Sequence, residues 1–253
     1  MRKFSLSTIG TFHTNHNEDA LVLIPFENQQ LLLAVMDGCS MGTESHFAST
    51  LMAKILRQKV KEIDYRFFIE KKPHSTKTLL YELLQSLFLE LRYFQNRLLL
   101  DKTELLSTLI LGVLDQVSRS AHLFVVGDGL ICCNGTYTEF EQDNRPDYLG
   151  YHLNKDFEPW FQAQQQSLIL RDISDLSIST DGIFTFRAFD QKDYAPIGEW
   201  DLVHELLIDQ NGLTQKNMLR KKLLYIEKNY GLKPTDDLSI VRVIFEKKSK
   251  QSN

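Results

Sequence analysis

The chain has 253 residues, 43% hydrophobic and 25% charged, which is enough for one substantial core and ordinary for a globular enzyme. Its formal charge of -4 argues against a dedicated nucleic-acid binder, which sets clustered Lys and Arg against phosphate. A phosphorylated substrate stays open, because a bound metal ion can supply positive charge that the composition lacks.

Cys39, Cys132 and Cys133 are odd in number, two of them adjacent and none in a CxxC, so they suit neither a disulfide framework nor a zinc site. They read as reduced side chains packed as small hydrophobes. Met1 to Gly10 has no apolar run of signal-peptide length, and nowhere do about 18 apolar residues occur together. The expectation is a soluble cytoplasmic monomer with no membrane and no nucleic-acid partner. No Pro/Gly/Ser-rich linker divides the sequence, so one domain is expected over residues 1–253, with a polar tail from about Lys247 to Asn253.

In chain order, strands are expected at Ala20 to Pro25 and Gln30 to Met36. Two helices follow. Ala48, Leu51, Met52, Ile55, Leu56, Val60 and Ile63 recur at three- and four-residue steps, as do Leu80, Leu83, Leu84, Leu87, Phe88, Leu91 and Leu98. Between them runs a basic stretch, Lys59, Lys61, Arg66, Lys71, Lys72 and Lys77, read as the wet face of the helices and their connection. Phe67 and Phe68, in the same connection, are assigned neither to the core nor to a partner surface. Further strands are expected at Ser107 to Asp115, Ala121 to Val126, Leu130 to Cys133, Ser167 to Leu170, Leu176 to Thr180 and Leu238 to Phe245. The stretch from about Thr138 to Gln166 is aromatic, polar and weakly patterned, and reads as a long loop. A second helix pair is expected at Trp200 to Ile208 and Thr214 to Tyr230, broken by Asn211-Gly212, with Thr214 as N-cap. Long helices between groups of strands point to a layered α+β sandwich rather than a regular βαβ alternation.

The informative feature is where the acids fall. Leu31 to Met36 ends in Asp37-Gly38, His122 to Gly127 in Asp128-Gly129, and Leu176 to Thr180 in Asp181-Gly182. Asn17-Glu18-Asp19 precedes an early strand and Asp236-Asp237 the last one. Strand ends are fixed points, so acids there can converge in a way that acids on loops cannot. Converging carboxylates need a cation, and hard oxygen donors suit Mg²⁺ or Mn²⁺. Taken singly, each Asp-Gly is also what a type I′ hairpin turn uses, and Gly127-Asp128-Gly129 between two apolar runs has that form.

Asn17-Glu-Asp-Ala20, Ala34-Val-Met-Asp-Gly38, Thr108-Leu-Ile-Leu111, Val126-Gly-Asp128, Ser179-Thr-Asp-Gly182 and Thr235-Asp-Asp-Leu-Ser-Ile240 together resemble, in order, the protein phosphatase 2C family. Ala48-Ser49 is similar to the Ala-Ser at the start of that family's first long helix. The resemblance implies a four-layer αββα sandwich, two antiparallel sheets flanked by helix pairs, and a metal-dependent phosphoserine/phosphothreonine protein phosphatase acting on phosphorylated protein. It implies two Mg²⁺ or Mn²⁺ ions: Asp37 bridging them, the Gly38 carbonyl helping to bind one, Glu18, Asp181 and Asp236 completing the set, and Asp19 holding water. Two metals about 3.5–4 Å apart would ionise a shared water to the attacking hydroxide. No covalent nucleophile is then needed, and Cys39 reads as packing.

The chain departs from the family at two places. Where the family carries a phosphate-gripping Arg stands Thr14, which leaves the phosphate-binding residue unassigned, with His13 and His16 flanking. Asp128 would serve a third ion with Asp181, but the remaining acid position is Thr185, which puts that ion in doubt. Two further readings follow: a phosphatase fold that signals or binds without useful turnover, and a metal hydrolase of small phosphorylated metabolites.

Overall fold

The structure is a computed structural model and describes residues 1–42, 44–71, 74–142 and 146–246. The 247–253 tail and Lys72 therefore lie outside the described residues. Twelve strands and five α-helices are found among the described residues: β1 (Arg2–Thr8), β2 (Ala20–Pro25), β3 (Gln30–Met36), α1 (Phe47–Glu70), α2 (Thr76–Leu98), β4 (Leu109–Asp115), β5 (Ser120–Val126), β6 (Gly129–Cys133), β7 (Thr136–Phe140), α3 (Phe157–Ala163), β8 (Ser167–Leu170), β9 (Asp175–Ser179), β10 (Phe186–Ala188), α4 (Glu199–Leu207), α5 (Met218–Tyr230), β11 (Leu232–Pro234) and β12 (Leu238–Ile244).

Two five-stranded sheets carry the fold, in the orders β1-β12-β9-β6-β7 and β2-β3-β4-β5-β8, with every pairing antiparallel. Their layering follows from the period of two along each strand. In β3, Leu31, Leu33 and Val35 face the opposite sheet, where they meet Ile131, Ile178, Val241 and Val243. Leu32, Ala34 and Met36 face the other way, onto Met52, Leu56 and Leu83 of α1 and α2. Both faces of β3 are covered, which is why Leu31 to Met36 reads as one unbroken apolar run. On the far side Leu130, Leu238 and Ile240 pack against Val203, Leu206, Leu219 and Ile226 of α4 and α5. The result is the expected αββα sandwich, with α3 added to the α1–α2 layer.

Several local expectations change. The 138–166 stretch is not a loop: it holds the end of β7, a 3-10 turn at Leu149–His152, and α3. Phe157 and Trp160 sink into the α1–α2 core, so aromatic anchors rather than long-range periodicity define α3. Thr214 caps nothing; consecutive turns (Gln215 N–H to Gly212 O, Met218 N–H to Gln215 O) delay α5 until Met218. Phe67 and Phe68 lie within α1, the first buried and the second exposed. Within the basic stretch Lys59 pairs with Glu62 and Glu90, and Arg66 with Glu82.

The Gly127-Asp128-Gly129 turn is also not a hairpin. β5 and β6 belong to different sheets, so the turn carries the chain from one to the other. Gly127 and Gly129 supply φ of 90° and 136°, which L side chains rarely adopt. That crossover brings Asp128 to the end of the sandwich where β3 and β9 finish and β2 and β12 begin.

Candidate functional site

At that end Glu18, Asp37, Gly38, Asp128, Asp181 and Asp236 line one cavity of about 390 Å³, together with Cys39, Ser40, Met41, Pro146 and Tyr148. Asp19 lies behind this wall, buried, and does not line it. Among the described residues the lining includes no Lys, Arg or His.

Each acid is fixed by backbone. Asp37 ends β3, where its N–H donates to Thr108 Oγ1 (3.2 Å) and its carbonyl accepts from Thr108 N–H (2.9 Å). Gly38 N–H donates to the Glu18 carbonyl (3.1 Å), joining the first two acidic segments. A Cβ at Gly38 would lie 2.3 Å from the Ser45 carbonyl, so only glycine permits this approach. Ser49 Oγ, at the start of α1, donates to the same Glu18 carbonyl, which gives the Ala48-Ser49 pair a physical role. Ser40 Oγ donates to Glu18 Oε2 (3.0 Å). Asp181 opens a 3-10 turn after β9, and a Cβ on Gly182 would fall 1.9 Å from the Asp237 carbonyl. Thr185, in the position considered for a third-metal acid, is occupied structurally: it accepts from Asp236 N–H (3.1 Å) and donates to the Gly182 carbonyl (2.8 Å).

Asp237, which the sequence shows only as an acid beside Asp236 ahead of the last strand, organises the first acidic segment. Its side chain is fully buried; Oδ1 accepts from Gly10 N–H (2.6 Å) and Oδ2 from Glu18 N–H. His13 Nδ1 lies 2.9 Å from Asp237 Oδ2 and His13 Nε2 3.7 Å from Asp236 Oδ1. Burial alone would lower the His13 pKa, but Asp237, Glu18 and Asp236 together raise it. His13 is thus engaged by carboxylates, while His16 is exposed and stacks on His46 with ring centroids 4.3 Å apart. Neither reaches the cavity lining.

The carboxylates carry the electrostatic strain expected of like charges removed from water. Burial pushes Asp37 well above the usual range, and Asp19, Asp181, Asp236 and Asp128 push further. Asp181 rises to about 7, from burial and then from Asp128 and Asp236. Asp19 rises to about 8, from burial and then from Asp181 and Asp237, against a hydrogen bond from Thr180 Oγ1 (2.8 Å). Its other oxygen, Oδ1, is buried without a partner. Among the described residues no three His, Cys, Asp or Glu side chains are drawn close enough to clasp an ion as they stand. As a donor set, however, carboxylates and a glycine carbonyl are what a hard divalent cation takes.

Solved structures share this architecture. A bacterial serine phosphatase superposes with a TM-score of 0.64 at 15% identity, covering 97% of this chain and 99% of that one. The serine/threonine phosphatase Stp1 of Staphylococcus aureus gives 0.61 at 14% (98% and 96% covered), and that of S. agalactiae 0.62 at 15% (96% and 99%). At such identities the likeness concerns the fold. No curated protein sequence matches the chain significantly. The sequence model of protein phosphatase 2C does match it, over residues 10–223, and by that match, spanning most of its length, the chain belongs to the protein phosphatase 2C family.

Proposed function

We propose that this chain is a metal-dependent phosphoserine/phosphothreonine protein phosphatase with a binuclear Mg²⁺ or Mn²⁺ centre held by Glu18, Asp37, the Gly38 carbonyl, Asp181 and Asp236. The observation that carries the reading is that acids from five separate strand ends line one cavity that has no cation of its own among the described residues. Asp37 and Asp181 fit ions better than water alone, because their enclosure and the repulsion of neighbouring carboxylates disfavour the ionised forms until positive charge arrives. When bound there, two divalent cations supply that charge, draw in the phosphoryl group and lower the pKa of a water towards neutrality.

The chain's own residues then position. Asp37, held by Thr108 on both sides of its backbone, would be the residue shared between the two ions. Asp19 has one carboxylate oxygen committed to Thr180 and one without a partner, which suits it to hold and orient a water. Asp128 beside Asp181 offers a subsidiary ion position, weakened because Thr185 is engaged by backbone groups. The unit acting this way is one domain, a cytoplasmic monomer whose partner is a phosphorylated protein. No described helix is long and apolar enough to cross a membrane.

The test is phosphate release from phosphothreonine and phosphoserine peptides with Mn²⁺, Mg²⁺ or EDTA. Release only with metal, lost in Asp37→Asn, supports the reading. One observation favours a second reading, a metal-binding signalling module without useful turnover: Thr14 replaces the family's Arg and no Lys, Arg or His lines the cavity among the described residues. A folded, Mn²⁺-binding chain that releases no phosphate would decide for it. Release from small phosphorylated metabolites but not from peptides would decide for the third.

A further inference from the structure

The substrate's phosphoryl group needs a partner on the protein besides the ions, and the usual one is missing. Thr14 is exposed and outside the cavity lining, and His13 is tied to Asp237. Of the polar side chains that do line the cavity, Ser40 already donates to Glu18 Oε2 and the acids only accept when ionised. Among the described lining residues, with the Cys39 thiol a weak donor, that leaves Tyr148, a neutral donor between β7 and α3, where it lines the cavity alongside Asp37 and Asp128.

We infer that Tyr148 is a substrate-contacting residue, its phenol O–H donating to a phosphoryl oxygen in place of the family's arginine. The inference rests on the metal-dependent reading above. The phenol is a built part of the wall. Leu149, the first residue of the 3-10 turn, and Leu153, just after it, are fully buried, and Leu149 N–H donates to the Ser107 carbonyl (3.2 Å). A Cβ on Gly150 would lie 2.4 Å from the Leu105 carbonyl, and one on Gly127 2.7 Å from the Asp147 carbonyl, so the segment is pressed against both the Leu105 turn and the Asp128 crossover. Arg92 donates to the Leu153 and Lys155 carbonyls, and Asp147 pairs with His152 (2.7 Å). Tyr151 meets the Tyr148 ring edge-on at 5.4 Å. A donor fixed this way loses little freedom when substrate arrives. The Cys39 thiol beside it is a weak hydrogen-bonding neighbour that a phosphoryl oxygen would displace readily. Burial and that contact hold the phenol well above its ordinary pKa, so it remains a donor.

The test is inorganic phosphate binding to the Mn²⁺-loaded chain, measured by calorimetry, which needs no turnover. Tyr148→Phe keeps the ring and removes only the hydroxyl. We expect phosphate affinity to fall about tenfold, as for a hydrogen bond to a charged group, with Mn²⁺ affinity and Tm unchanged. Where peptide turnover is measurable, KM rises in step and kcat stays within about twofold. Tyr148→His, which restores a ring donor, recovers part of the affinity, and provides the reading if the Phe variant folds poorly. Unchanged phosphate affinity in Tyr148→Phe overturns the inference, as does a loss accompanied by equal losses of Mn²⁺ affinity or Tm. If the wild-type chain binds Mn²⁺ and phosphate but releases none from peptides, the phosphatase reading fails while Tyr148 is still tested.

Discussion

Without a cation, the acidic end of the sandwich opposes folding, and the size of that opposition can be worked out. Asp19 stands at about 8 and Asp181 at about 7, against an ordinary carboxylate near 4, and Asp37 is also raised. A folded-state pKa above the unfolded one means the folded chain holds more protons between those values. Its contribution is therefore full below about pH 4 and is lost as pH rises through 7 and 8. At about 1.4 kcal/mol per pH unit, Asp19 alone accounts for several kcal/mol across that window. Asp37→Asn removes one charge from the centre of the cluster, so in EDTA at pH 8 the variant should be more stable than wild type by about 1–3 kcal/mol, the gap closing near pH 5. Saturating Mn²⁺ should invert the order, since an ion at a hundred times its Kd adds about 2.7 kcal/mol, on the order of 5–10 °C in Tm for a domain of this size. Comparing the two chains, rather than following one, removes the acid dependence of carboxylates outside the cluster and reads that of Asp37 together with the acids coupled to it. Calorimetric scans from pH 5 to 8.5, with EDTA or Mn²⁺, measure it. An Asp37→Asn chain less stable than wild type in EDTA at pH 8 would refute the reasoning.

Three more outcomes follow from other contacts. Asp237→Ala strands the N–H groups of Gly10 and Glu18, which should cost about 1–3 kcal/mol in urea unfolding and weaken Mn²⁺ binding about 10–100-fold through the displaced Glu18. Asp237→Asn, which keeps one acceptor oxygen, should lose less of both. Arg242 is fully buried between β12 and α4, paired with Asp175 (2.7 Å) and donating to the Leu206, Ile208 and Asp209 carbonyls; Arg242→Ala should destabilise by about 3–5 kcal/mol, seen as a lower urea midpoint, with Mn²⁺ affinity retained. Thr14→Arg should restore a bidentate phosphate grip and lower KM for phosphopeptides about tenfold, read from steady-state kinetics.

What the sequence made legible was the part with local signatures. The unbroken apolar run of β3 and the three- and four-residue steps of α1 and α2 announce elements buried on one or both faces. The acids at strand ends announce a shared destination. β1 escaped because only Phe4 and Leu6 alternate in it, and its stability comes from seven-residue pairing with β12 across the whole chain. β7 is half-exposed at a sheet edge and has little apolar pattern to show. α3 did leave a trace, Phe157, Trp160 and Phe161 at helical spacing behind Asp156, but within seven residues and with a proline. Asp237 was visible as a strand-end acid but its role was not, and Tyr148 had no local signal. A buried carboxylate that joins Gly10 to Glu18, and a phenol that becomes a cavity wall only when Gly127 crosses between sheets, are products of tertiary contact.

The account depends most on Asp37 joining two cations inside one cavity, and electron paramagnetic resonance of the Mn²⁺-titrated chain addresses that directly. Two ions per chain with a spin-coupled spectrum, reduced to at most one uncoupled ion in Asp37→Asn, is the predicted result. A single uncoupled ion unaffected by that substitution, or no bound manganese in a folded chain, would contradict it.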